Sequence, residues 1–224
     1  DQLWCDCTID LHDAVLTEVA DFQDATFTND ANFQGATFTN DANFWDATFT
    51  NDANFRGTTF TNVAIFGGAT FNRYANFRGT TFTNDAYFGD ATFTNVANFQ
   101  GATFTNDAYF GDATFTNGAN FWDATFNVAN FLGATFTNDA NFEGATFNVA
   151  NFQGATFTND ANFRDATFSR LAPPRGLPPE QVDETGLPHG ARWADADDEG
   201  IEVSSPDDAP AEGTGPGSAG SAAS

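Results

Sequence analysis

The stretch ANFQGATFTNDANF, Ala31 to Phe44, sets three phenylalanines five and then six residues apart. A helix repeats every 3.6 residues and a flat strand every two, so neither puts these rings on one face. The spacing continues far beyond this stretch. All 28 phenylalanines of the 224-residue chain fall in one series from Phe22 to Phe168, with gaps that alternate between five and six. The unit is A-N-F-x-G/D-A-T-F-T-N-D, eleven residues long. Two gaps break the alternation, Phe126 to Phe131 and Phe147 to Phe152. Both are five where six is due, with NV in place of TND.

The two shortened gaps lie four phenylalanines apart. A solenoid with four sides, each centred on one Phe, explains this. Two five-residue and two six-residue steps make a lap of 22 residues, and neighbouring laps must shorten at the same corner to stay stacked. Tyr87 and Tyr109 share this interval, as do Arg56 and Arg78. A right-handed coiled coil also has an 11-residue period. It is rejected because steps of five and six would scatter Phe over two helix sides. Thr, Asn, Asp and Gly are also poor helix formers, while Thr and Phe favour strands. The calcium-binding nonapeptide solenoid would need G-G-x-G-x-D, which does not occur.

Read as ANFQG followed by ATFTN, the chain consists of five-residue units with a small residue two before a large apolar centre. This resembles the pentapeptide-repeat family over about residues 20–170. The resemblance implies an all-β fold, a right-handed four-sided parallel β-helix. Seven coils of 22 residues account for the series. Ala stands two before Phe in 26 of 28 units, the exceptions being Thr58 and Thr80. The chain departs from the usual pattern in having Phe rather than Leu as its centre and an extra residue at every second corner. In such a coil each Phe points inward and stacks on the Phe one lap away, so Phe22, Phe27, Phe33, Phe38, Phe88, Phe110, Phe126 and Phe131 belong to four continuous core stacks.

The expected organisation is a degenerate N-terminal cap coil over 1–19, the β-helix over 20–170, a Pro/Gly-rich cap or linker over 171–193, and an acidic tail over 194–224 with the composition of a disordered segment. Cys5, Leu11 and Leu16 continue the spacing with weaker centres, and Trp4 is expected to cover that end. Leu171, Leu177 and Trp193 are expected to fold back over the last coil. A second copy stacked end to end is the homodimer that an open coil would allow.

The formal net charge is −24, with no lysine at all. Such a surface repels phosphates, which argues against direct nucleic-acid or anionic-membrane binding. No apolar run approaches the ~20 residues of a membrane helix. The compartment is open, with the cytoplasm as the default. Catalysis is not expected. The two histidines, His12 and His189, flank the repeat, and no nucleophile elbow, phosphate loop or dinucleotide fingerprint is present. The pair Cys5 and Cys7 lacks partners for a metal site. Asp195–Gly200, DADDEG, only echoes a calcium loop, with Pro206 where the last ligand should stand. No cofactor is expected.

The sides are numbered from Phe22 on side one. Residues flanking each Phe face outward. Sides two and four carry Thr before every Phe, and ten of these fourteen units read T-F-T. Such ladders resemble those of ice-binding β-solenoids, and they also suit any exposed strand. Side three carries an Asn ladder from Asn32 to Asn162. Side one departs most from the template. Ile65, Tyr87 and Tyr109 replace Asn there, and wherever they do, glycine follows the Phe. With Trp45 and Leu132, these residues are expected to form one apolar strip over five coils. Asp41, Asp85 and Asp107 border it on one edge, and Asp24, Asp46, Asp90 and Asp112 on the other.

The primary expectation is therefore a non-catalytic acidic scaffold that binds a protein partner through side one. One alternative comes from the family, some of whose members imitate DNA and bind type II topoisomerases. The other is ice binding through the Thr ladders.

Overall fold

The computed structural model describes residues 8–159 and 161–194 in full, and Trp4 and Cys5 as backbone. It is a four-sided parallel β-solenoid. The strands are mostly two residues long, and each pairs in register with the equivalent strand one lap away. On side two Thr26–Phe27 pairs with Thr48–Phe49, which leads on in parallel steps to Thr156–Phe157. On side three the sequence of strands runs from Ile9–Asp10 to Ala161–Asn162, and on side four from Val15–Leu16 to Arg192–Trp193. Side one begins at Ala20–Asp21. Among the described residues no helix is long and apolar enough to cross a membrane.

The physical reason for the alternating gaps lies at the corners. After sides one and three the second residue beyond Phe adopts a positive φ, near +52° to +69°, and is Asp or Gly at every lap. This left-handed residue closes a tight turn, so the next Phe arrives after five residues. After sides two and four no such residue occurs, and the T-N-D segment rounds a wider corner with one residue more. Where NV replaces TND, the corner straightens into continuous six-residue strands, Thr125–Asn130 and Thr146–Asn151. Val128 and Val149 pair across the laps and are buried there. The lap before them, Thr103–Tyr109, takes up the mismatch as a β-bulge between Phe104 and Asp107.

The core is almost wholly Phe and Ala. Within each column successive rings stack nearly parallel, as in Phe44–Phe66 at 4.8 Å and 1° and Phe88–Phe110 at 4.9 Å and 7°. Columns on sides one and three meet edge to face through the centre, as in Phe33–Phe44 at 5.5 Å and 82°. Both geometries are favourable for aromatic quadrupoles. Phe33, Phe38, Phe126 and Phe131 are fully buried and Phe27 nearly so, while Phe22 in the first lap is partly covered. Thr58 and Thr80 fill two Ala positions without loss, because their buried hydroxyls donate to the carbonyls of Phe33 and Phe55 at 2.7 Å.

The solenoid starts one lap before the first Phe. Trp4–Cys5, Ile9–Asp10 and Val15–Leu16 pair with the strands of Phe27, Phe33 and Phe38, so with this lap there are about eight turns rather than the seven counted from Phe. At the far end, residues 170–194 return over the last coil. Phe152 N–H donates to Arg175 O, Asp165 N–H donates to Gly190 O, and Arg192–Trp193 pairs with Thr167–Phe168. Leu177 and Trp193 pack on the core, but Leu171 is exposed, and the buried leucine is Leu187. The Asp195–Gly200 segment and the acidic tail lie outside the described residues.

Candidate functional site

On sides one and three the outward residue before Phe has a fixed task. Its side-chain oxygen accepts from the backbone N–H of the residue after Phe, and in the Asn ladder its amide donates to the Asn one lap back. Asn54 illustrates both bonds, with Arg56 N–H donating to its Oδ1 at 3.2 Å and its Nδ2 donating to Asn32 Oδ1 at 3.1 Å. Ten Asn and two Asp residues, from Asp10 to Asn162, cap the following amide in this way.

The pattern fails at three consecutive laps of side one. Ile65, Tyr87 and Tyr109 have no oxygen in that position, and the amides of Gly67, Gly89 and Gly111 go uncapped. The three residues pair in register across the laps. The tyrosine rings lie 4.9 Å apart and 4° from parallel. Their hydroxyls turn to the preceding corner, where Tyr87 donates to Asp85 at 3.2 Å and Tyr109 donates to Asp107 at 2.8 Å. Burial and then the charge and hydrogen bond of Asp85 push the Tyr87 phenol up to about 12. Burial and the Asp107 hydrogen bond raise Tyr109 as well.

The second outward column contains Trp45, Gly67, Gly89, Gly111 and Leu132. Trp45 and Leu132 are 41% and 44% exposed, and they flank the run of glycines. The Trp45 indole lies over Gly67, where a Cβ would come within 2.6 Å of the ring. Gly89 and Gly111 are partly exposed, and no side chain lies within 4 Å of where a Cβ would stand on either. The expected single strip is thus two parallel columns: Ile65, Tyr87 and Tyr109 in one, and Trp45 and Leu132 in the other, where a glycine trough lies between Trp45 and Leu132.

The two acidic edges differ. Asp41 and Asp85 accept side-chain amides from Asn62 and Asn106, and Asp85 and Asp107 accept the tyrosine hydroxyls, so this edge is partly buried and engaged. Asp46, Asp90 and Asp112 occupy the left-handed corner position and are exposed. No arginine occurs on side one at these laps; Arg56, Arg78 and Arg164 follow Phe on side three.

Elsewhere, the Thr columns of sides two and four run in register, interrupted after Phe by Asn72, Asn127, Asn148 and Ser169. A surface hollow of about 440 Å³ lies on side three between Asp10, Asp30, Asp52 and Tyr74 and is open to solvent. Among the described residues no three His, Cys, Asp or Glu side chains gather where they could hold a metal ion. His12 pairs with its neighbour Asp13 at 3.2 Å.

The family described as pentapeptide repeats (9 copies) matches residues 11–59, 44–92, 88–135 and 127–167, well over half of the chain. The chain belongs to the pentapeptide-repeat family. No curated protein matches it. Two solved structures that it resembles are trypsin-treated variants of QnrB1, a plasmid-mediated fluoroquinolone resistance protein. One is 17% identical, with 80% of this chain and 91% of that chain covered. The other is 19% identical, with 84% and 88% covered, and the TM-score is 0.29 for both. As a pentapeptide-repeat protein, this chain is a repeat scaffold whose individuality lies in its outward columns, because the inward ones are nearly uniform Phe and Ala. Sequence reading found the residues of side one but not the uncapped amides. The signal was present as the joint loss of Asn and gain of Gly. Its meaning required knowing that Asn caps the amide two residues on.

Proposed function

We propose that this pentapeptide-repeat protein is a non-catalytic scaffold that binds a basic protein partner through side one. One observation supports the reading above others: the Asn ladder is broken on three consecutive laps of a single face, and the replacements are apolar or aromatic. An aromatic surface rimmed by charge is the composition of a protein interface. The exposed carboxylates of Asp46, Asp90 and Asp112 would steer a basic partner to it. The test is affinity capture with the full chain against a Tyr87→Ser/Tyr109→Ser variant, identifying retained proteins by mass spectrometry. The variant keeps the core intact, so it should fold and lose the partner. Equal capture by both chains would remove side one as the site.

The DNA-imitating reading draws on the same acidity, since residues 1–170 contain 20 acidic and 5 basic residues. The carboxylates do not form a continuous stripe, however. At the side-one corner Asp46 is followed by Gly68, and Asp112 by Gly133 and Gly154. A supercoiling assay with purified gyrase discriminates between the two, and inhibition at micromolar protein would favour the topoisomerase reading.

A further inference from the structure

Gly89 and Gly111 are not required by the fold. Neither has a positive φ, and a Cβ at either position would meet nothing closer than a neighbouring carbonyl, at 3.6 Å and 3.7 Å. Other laps carry Gln, Trp or Leu in this column. Glycine here leaves two backbone amides open at the floor of a trough between Trp45 and Leu132. Their spacing is that of neighbouring strands, ~4.8 Å. Such an open amide donor lacks the acceptor that the fold supplies at twelve equivalent positions.

Resting on the side-one reading, we infer that the partner supplies this acceptor as the carboxamide oxygen of a Gln or Asn side chain within a basic segment. Three features select that chemistry. The fold's own solution for the same amide is, in ten of twelve cases, an Asn side chain. A partner carboxylate is disfavoured because Asp90 and Asp112 on one edge and Asp85 and Asp107 on the other would repel it. Backbone carbonyls along one edge of an extended peptide recur every ~6.8 Å and cannot match donors ~4.8 Å apart. A carboxamide on a flexible stem reaches either donor, while neighbouring Lys or Arg side chains lie against the exposed Asp90 and Asp112.

The test uses the full chain, labelled for amide NMR, with two synthetic peptides: one of alternating lysine and glutamine, the other of alternating lysine and leucine. The Lys–Gln peptide should shift the Gly89 and Gly111 amide protons downfield in a saturable way, and the Lys–Leu peptide should not. A Tyr87→Asn/Tyr109→Asn variant should restore the cap within the chain, melt no lower than the parent, and weaken Lys–Gln binding by about tenfold. Gly89→Ala/Gly111→Ala should fold normally and also weaken it. Two results would overturn the inference: equal shifts with both peptides, or unmoved glycine amides while the Trp45 and Tyr signals respond. The second would leave side one standing as an interface and remove only the carboxamide.

Discussion

The Tyr109 hydroxyl donates to Asp107 at 2.8 Å while its ring stacks on Tyr87, whose own hydroxyl donates to Asp85. Both phenols are thereby held in the protonated form. An unfolded tyrosine titrates near 10, whereas Tyr87 in the fold is raised to about 12. Between those values the unfolded chain has lost protons that the folded chain keeps. The Tyr87 contribution to stability is therefore complete below about pH 10 and disappears as pH rises through about 12, and that of Tyr109, raised in the same direction, is lost on the same alkaline side. Urea midpoints measured across this range should fall for the parent, and the fall should be shallower in Tyr87→Phe/Tyr109→Phe.

Trp45 should report on Gly67. The indole occupies the space a Cβ would take, so Gly67→Ala should swing the ring into solvent and shift tryptophan emission to the red. Gly89→Ala, with no ring above it, should leave the spectrum unchanged. Because Trp45 is a surface side chain, the melting temperature should move little in either variant.

Gly68 and Asp46 form a second such pair across laps. Gly68 has φ +65°, and its missing Cβ leaves room for the Asp46 carboxylate. Gly57 has nearly the same φ, +66°, with open space beside it. Gly57→Ala should cost about 1 kcal/mol from the left-handed backbone alone. Gly68→Ala should cost more. A double-mutant cycle with Asp46→Gly should recover the excess at Gly68 and show no coupling at Gly57.

Core substitutions should grade with burial along the rod. Phe88 is fully enclosed, with stacked neighbours on both sides at 4.9 Å. Phe88→Ala should cost about 3–5 kcal/mol. Phe157, in the last strand of side two, is only partly buried. Phe157→Ala should cost clearly less in the same denaturant titration.

Much of the fold was legible because one physical requirement, parallel strands stacking identical side chains, writes itself as a 22-residue recurrence. Phe126 and Phe147 show how far that reaches: the short gaps after them place two deletions at one corner of successive laps. That Val128 and Val149 become buried there was not legible, since their inward turn depends on the corner straightening into a strand. The site was legible as residue types but not as an arrangement. Trp45 and Leu132 stand in a different outward column from Ile65, Tyr87 and Tyr109, and the space between them is bounded by backbone rather than side chain.

The linear order of residues alone determined the number of sides, the length of a lap, the inward stacks and the identity of the divergent face, because all of these follow from periodicity. The tertiary structure decided which acidic edge is engaged and which is free, why Trp45 needs Gly67 beneath it, and that the amides of Gly89 and Gly111 are left open. Those outcomes depend on contacts between laps, where residues about 22 positions apart meet and a missing oxygen or Cβ has a consequence that no local pattern records.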